Sequence, residues 1–138
     1  MQTERRSRLS WTKRLIVTVI AITSVFSVTA VTGEADASVH STCTISRCSD
    51  AVSANSIWSS KGYPTARGWY SWPGGTCSFA GGQYQNREME LPLGDTYYEY
   101  DVYPRSCDAA RDAYRIVVDF DTGEVWFTPN HYTDFYHL

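Results

Sequence analysis

The chain has 138 residues, with 12 Lys or Arg against 15 Asp or Glu and a net charge of −3. That length suits one domain. The acidic balance argues against tight non-specific binding of nucleic acid, which needs a broad cationic surface, so any polyanion must be met by a local cluster of arginines.

Residues 1–37 differ in character from the rest. Arg5, Arg6, Arg8, Lys13 and Arg14 form a basic head, residues 15–33 carry no charge, and "ADA" at 35–37 supplies the small residues that a signal peptidase reads. This is the anatomy of a secretory signal, and it predicts a secreted, extracellular protein with no membrane segment after cleavage. The rival is an uncleaved anchor, since the uncharged run is long, but Thr and Ser dilute its second half. "VTA", ending at Ala30, is a second candidate cut, and Arg5-Arg6 hints at a twin-arginine route that the following residues fit poorly. Five basic and three acidic residues leave with the leader, so residues 38–138 keep seven basic and twelve acidic ones, net −5. A domain of that size holds one modest core.

All four cysteines, Cys43, Cys48, Cys77 and Cys107, fall in the exported part, which reads as two disulfides. Three pairings are open from the count alone. A zinc site is the weaker alternative, because no CxxC pair exists and His40 is the one histidine near any cysteine.

In chain order, "SDAVSANSIWSS" predicts a short helix, with Ser49 as a possible cap and Ala51, Ala54 and Trp58 on one face. The Gly- and Pro-rich stretch that follows, "YPTARGWYSWPGGTCSFAGG", predicts mostly loop with one helical turn from Pro64. Segments near 83–87, 96–103, 113–120, 124–128 and 132–137 read as strands, with a hairpin bend at Gly123. The expected fold is α+β: one or more short N-terminal helices packed on a meandering antiparallel sheet of about five strands. If the sheet folds so, Cys77 and Cys107 lie at the same end of one face, which predicts a Cys77–Cys107 bridge and leaves Cys43–Cys48 as a small local loop.

The strand period of two then sorts the side chains. Ile116, Val118 and Phe120 share a face with Tyr98, Tyr100 and Val102, and Val125 and Phe127 can join them across the hairpin. Tyr97, Glu99, Asp101, Arg115, Val117 and Asp119 point the other way. Arg111 has the parity of Arg115, so Glu99, Arg111 and Arg115 can project from one uncovered face, with His131 reaching it from the end of the next strand. A cross-strand ion pair is the plainer explanation for any single Glu and Arg. Four such groups together suit phosphodiester chemistry. Two guanidiniums stabilise charge that grows on the phosphate oxygens, a carboxylate takes a proton from the attacking hydroxyl, and a histidine gives one to the leaving oxygen. No metal or other cofactor is called for.

"YQNREMELP", "YYEYDV", "RDAYRIV" and "NHYTDF" occur in that order. Together they resemble the successive motifs of the barnase-like microbial ribonucleases, small guanyl-preferring enzymes secreted by bacteria, with fungal relatives. The resemblance covers residues 83–135 well, and "ARGW" at 66–69 extends it weakly upstream. It implies an RNA endonuclease that forms a 2′,3′-cyclic phosphate and then hydrolyses it to a 3′-phosphate. Glu99 falls at the general base, His131 at the general acid, and Arg111 and Arg115 at the phosphate-binding pair. Gln85, Asn86, Arg87 and Glu88 match the guanine-recognition loop, Glu88 being the carboxylate that holds the base, and Tyr84 and Tyr132 are candidates to stack on it. Single-stranded RNA is the implied substrate, the protein is expected to be monomeric, and a proteinaceous inhibitor in the producing cell is a partner that the family has. Two departures stand out: the connection "DVYPRSCDAA" is about a residue longer than in close relatives, and Asn130 replaces the Asp that commonly precedes the histidine. A binding domain on the same scaffold without turnover is the main alternative, and a disulfide-stapled structural domain a second.

Overall fold

The computed structural model describes residues 38–138, so the expectations for the leader lie outside the described residues. Seven strands and one helix are found there: β1 (Ser38–His40), α1 (Cys48–Ser60), β2 (Gly68–Trp72), β3 (Thr76–Tyr84), β4 (Tyr97–Asp101), β5 (Arg115–Asp119), β6 (Val125–Thr128) and β7 (Asp134–His137). They form one sheet in the order β1-β7-β6-β5-β4-β3-β2. From β2 to β7 the sheet is an antiparallel meander, and β1 adds to β7 in parallel. No helix among the described residues is long and apolar enough to cross a membrane.

The α+β class stands, but the sheet has seven strands where about five were expected. The stretch read as loop is a β2–β3 hairpin, and residue 64 begins no helical turn. Its Gly74-Gly75 pair, at φ 85° and 78°, supplies the left-handed turn that brings Trp72 opposite Thr76. Glycines that look like loop composition are here the bend of a hairpin. β1 is three residues long, all of them exposed, and only pairing with β7 makes it a strand.

Helix α1 starts at Cys48, so Ser49 lies inside its first turn and caps nothing. Arg47 occupies the cap position at φ 77°, with its guanidinium over the rings of Tyr103 and Tyr114. The Cys43–Cys48 disulfide ties the first helical residue back to the preceding segment. The expected face is buried: Ala51, Ala54 and Trp58 pack on Tyr100, Ile116, Val118 and Phe127 of the sheet. The Trp58 indole N–H also donates to the Asp101 carbonyl at 2.8 Å, which satisfies that buried donor.

The opposite face of the sheet is not bare. Tyr84, Leu91, Tyr97, Val117, Trp126 and Phe135 form a second core there, because residue 91 in the connection after β3 folds back over the strands. The face stays open beside β3 and β4, and that is where Glu99 stands. Both expected disulfides form, with Cα–Cα distances of 5.7 Å for Cys43–Cys48 and 5.0 Å for Cys77–Cys107. The second is reinforced by two backbone hydrogen bonds between Cys77 and Arg105, each 2.8 Å, which staple the β4–β5 connection to β3.

Candidate functional site

The site begins with a bulge. β3 pairs with β4 as Ala80↔Tyr100 and then Gly82↔Glu99, leaving Gly81 as the extra residue. The Glu99 side chain lies across the space this opens. A Cβ on Gly81 would overlap Glu99 Cγ, Cδ and Oε1, so only glycine permits this close approach.

Glu99 is held from two sides. The Tyr132 hydroxyl donates to Oε2, and Arg111 Nη2 donates to Oε1 at 3.4 Å. Burial, then the charge of Glu99 and the hydrogen bond to it, push the Tyr132 hydroxyl well above its ordinary range, which keeps it a donor.

Behind Glu99 stands Asp101, with no exposed surface. It accepts from Arg111 Nε at 2.9 Å and Nη2 at 2.7 Å, and it pairs with Arg115 at 3.2 Å and Arg105 at 3.7 Å. Burial pushes the Asp101 carboxyl up, against the pull of Arg111, Arg115 and Arg105. Burial also works against the Arg111 charge, but its bonds to Asp101 more than offset this and raise it. Both groups are pushed up, which disfavours the charge on Asp101, where burial prevails, and favours the charge on Arg111, where the bonds to Asp101 prevail. Three guanidiniums around one carboxylate make the ionised cluster the state that the geometry supports.

Arg115 is 3% exposed, and its Nη1 also donates to the Tyr114 carbonyl at 2.9 Å and to Asp112 at 3.3 Å. Arg111 is the more accessible of the pair and lies 4.4 Å from the Phe79 ring centroid.

His131 and Tyr132 sit in the β6–β7 connection, both in left-handed backbone at φ 58° and 73°. Side chains hold that conformation. Thr128 Oγ1 accepts from the Tyr132 N–H at 2.8 Å, and Asn130 Oδ1 accepts from the Asp134 N–H at 2.9 Å. Asn130 Nδ2 donates to Asp134 Oδ2 at 2.8 Å, a bond that an ionised Asp at 130 could not make, so the departure at this position still serves the turn. The His131 N–H reaches the Ala113 carbonyl at 3.1 Å and ties this turn to the segment carrying Arg111 and Arg115. The His131 ring is 4.7 Å from that of Tyr132, and the residue is exposed.

The loop after β3 is braced by Asn86, at φ 44°. Its amide donates to the Leu91 carbonyl at 2.8 Å and accepts from the Leu91 N–H at 3.1 Å. That uses up the Asn86 side chain and leaves the backbone of the loop as its polar edge. Gln85, Arg87 and Glu88 are exposed. Together with Tyr84, Glu99 and Tyr132 they line a cavity of about 270 Å³, completed by Arg67, Gly81 and Gln83.

Of the residues expected from sequence, the structure thus joins Tyr84, the 85–88 loop, Glu99 and Tyr132 in one cavity. Arg111 touches Glu99 from behind, Arg115 is one step deeper, and His131 is beside Tyr132 outside the lining. Tyr84 and Tyr132 stack on each other at 4.8 Å, and Tyr84 packs into the second core with Tyr97 and Phe135, so little of its ring is free. Three residues went unassigned from sequence. Asp101 had a legible signal, since its parity matches Glu99 and it falls opposite Arg115 in register. Arg67 had a weak one, since it falls in the "ARGW" that extends the resemblance upstream, and Gly81 had none, because it lay in the stretch read as loop.

A family model described as ribonuclease fits residues 31–138. No curated protein and no solved structure matches the chain.

Proposed function

The chain belongs to the ribonuclease family, and from that premise we propose that it is an exported, guanyl-preferring RNA endonuclease that works as a monomer, without metal, through a 2′,3′-cyclic phosphate. One observation carries this reading: the Glu99 carboxylate, held by Arg111 and Tyr132, shares a cavity with the 85–88 loop. A base that binds in the loop brings its own ribose 2′-OH toward that carboxylate. Export is supported by the two disulfides, which persist in oxidising surroundings.

In the first step the 2′-OH attacks phosphorus, and its proton passes to Glu99. The P–O5′ bond breaks and His131 gives a proton to the departing 5′-oxygen, leaving a 2′,3′-cyclic phosphate and a 5′-hydroxyl. In the second step water attacks the cyclic phosphate with the two roles reversed, giving a 3′-phosphate. DNA lacks the attacking hydroxyl and is not a substrate. Arg111 and Arg115 stabilise the charge that grows on the phosphoryl oxygens, and Asp101 fixes them in advance.

Guanine presents N1–H and its 2-amino group to Glu88 and O6 to backbone N–H groups of residues 85–87. Adenine offers an acceptor where Glu88 needs a donor, so it leaves groups unpaired. The test is cleavage of GpC and ApC by the purified protein, with the cyclic product resolved by chromatography. GpC is expected to be preferred, and Glu88→Ala to erase most of the preference. Equal rates on GpC and ApC in the wild type would reject the loop assignment, and no cleavage of either would reject the enzyme.

A further inference from the structure

We infer that Arg67, at the entry to β2, is a third guanidinium of the phosphate site and contacts the phosphate attached to the bound guanosine. The inference rests on the proposed function for the identity of the ligand. Arg67 lines the cavity that holds Glu99 and the 85–88 loop. The bulge that makes room for Glu99 also brings Arg67 in: Gly81 lies under the carboxylate, and the Cβ position of Gly82 is 3.5 Å from Arg67 Cβ.

The guanidinium carbon of Arg67 is 5.4 Å from the Phe79 ring centroid, and that of Arg111 is 4.4 Å from the same centroid. Two like charges therefore attend one ring, closer together than the sum of those distances. The ring face attracts each of them. The partners of the two differ. Arg111 spends three hydrogen bonds on Asp101 and Glu99, and Arg115 is nearly closed off from solvent. Arg67 is exposed and, among the described residues, makes no ion pair and no side-chain hydrogen bond. Its donors are open to a ligand. The need is also plain. The lining already carries the carboxylates of Glu88 and Glu99, which repel a phosphodiester, and Arg67 and Arg87 are its only guanidiniums among the described residues. Arg87 lies in the base loop, whereas Arg67 stands beside the strands that carry Glu99. The anion within reach of both Arg67 and the Glu99 end of the cavity is the phosphate on the guanosine 3′-oxygen, next to the hydroxyl that attacks.

The test compares wild type, Arg67→Ala and Arg67→Lys for calorimetric binding of guanosine 3′-monophosphate and of guanosine, and for kcat/KM on GpC. Arg67→Ala is expected to weaken the nucleotide about tenfold and leave guanosine unchanged, and to lower kcat/KM on GpC by a similar factor, with Lys restoring only part because it lacks the planar fork. Equal loss for nucleotide and nucleoside, or no loss for either, overturns the assignment. If the wild type binds the nucleotide but cleaves nothing, the enzyme reading fails while the nucleotide-to-nucleoside ratio still decides the role of Arg67. A wild type that binds neither ligand overturns both.

Discussion

A methyl group at position 81 would fall where the Glu99 carboxylate now lies, overlapping Cγ, Cδ and Oε1. Gly81→Ala is therefore a way to move the proposed base without touching it. Gly81 has no left-handed φ, so the backbone accepts alanine. The atoms that clash belong to the end of a flexible side chain, so the expected response is that Glu99 swings away and the sheet stays intact. The move breaks its bonds to Arg111 and Tyr132. Losing these costs about 1–3 kcal/mol, and replacing a glycine returns about 0.4–1 kcal/mol through the unfolded chain. The net loss of stability should be at most about 2.5 kcal/mol, read as a lower urea midpoint with an unchanged slope. Activity should suffer more. A base displaced by an ångström or more costs on the order of 10²-fold. The assay is kcat/KM on GpC for Gly81→Ala, Glu99→Gln and the double variant. If the glycine acts by placing the carboxylate, the second substitution adds little once Glu99 is neutral. Retention of activity within about threefold, or a full additional 10²-fold loss in the Glu99→Gln background, would show that Gly81 does not position the base.

Glu99→Gln and His131→Ala should each lower kcat on GpC by on the order of 10²-fold or more, with circular dichroism unchanged; near-wild-type rates in either would remove that residue from the mechanism. Asp119 accepts the backbone N–H of Asp121 at 2.8 Å and the Thr122 hydroxyl at 2.8 Å at the β5–β6 turn. Burial opposes its ionisation, but these bonds prevail and hold its carboxyl below the usual range. The stabilisation is therefore present above the unfolded-state value of about 3.9 and is lost as pH falls through the lower folded value. Asp119→Asn should cost about 1–3 kcal/mol at neutral pH, and the gap to wild type should close in acid; a gap independent of pH would assign the loss to packing. The Cys77–Cys107 bridge spans 30 residues, for which chain entropy suggests about 3–4 kcal/mol. Replacing both cysteines by serine should lower Tm markedly, and a change of under about 1 kcal/mol would mean that the Cys77–Arg105 backbone bonds hold the connection unaided.

The readable parts of this chain are those with local causes. The face of α1 follows from Ala51, Ala54 and Trp58, whose spacing leaves one answer, and the strand period puts Ile116 and Val118 opposite Val117 whatever lies around them. The Glu99 face was legible for the same reason. What escaped notice depended on partners distant in sequence. β1 exists only because β7 offers it an edge. Leu91 turned a face expected to be open into half a core, and no spacing near residue 91 says so. The β2–β3 hairpin was hidden by composition, since Pro73, Gly74 and Gly75 look alike as loop residues and as a tight bend. Gly81 was lost with it, and Arg67 was seen only as part of a weak motif.

On the proposed reading, the position of Asp101 explains how a domain of net charge −5 can receive a phosphate. An arginine pair left free in such a domain would bind the nearest surface carboxylates, and substrate would have to break those contacts. Here one fully buried carboxylate takes that place. Asp101 holds Arg111 and Arg115 at 2.7 Å and 3.2 Å before any ligand arrives, and β4 fixes it two residues from Glu99, on the same face by strand parity. The cost of ordering both guanidiniums is met during folding by a carboxylate that water and ligand do not reach. What remains outside is the edge of the cluster, where Arg111 meets Glu99. There a phosphate gains from donors already aimed and need not reorganise them, which is the condition under which such donors favour a transition state.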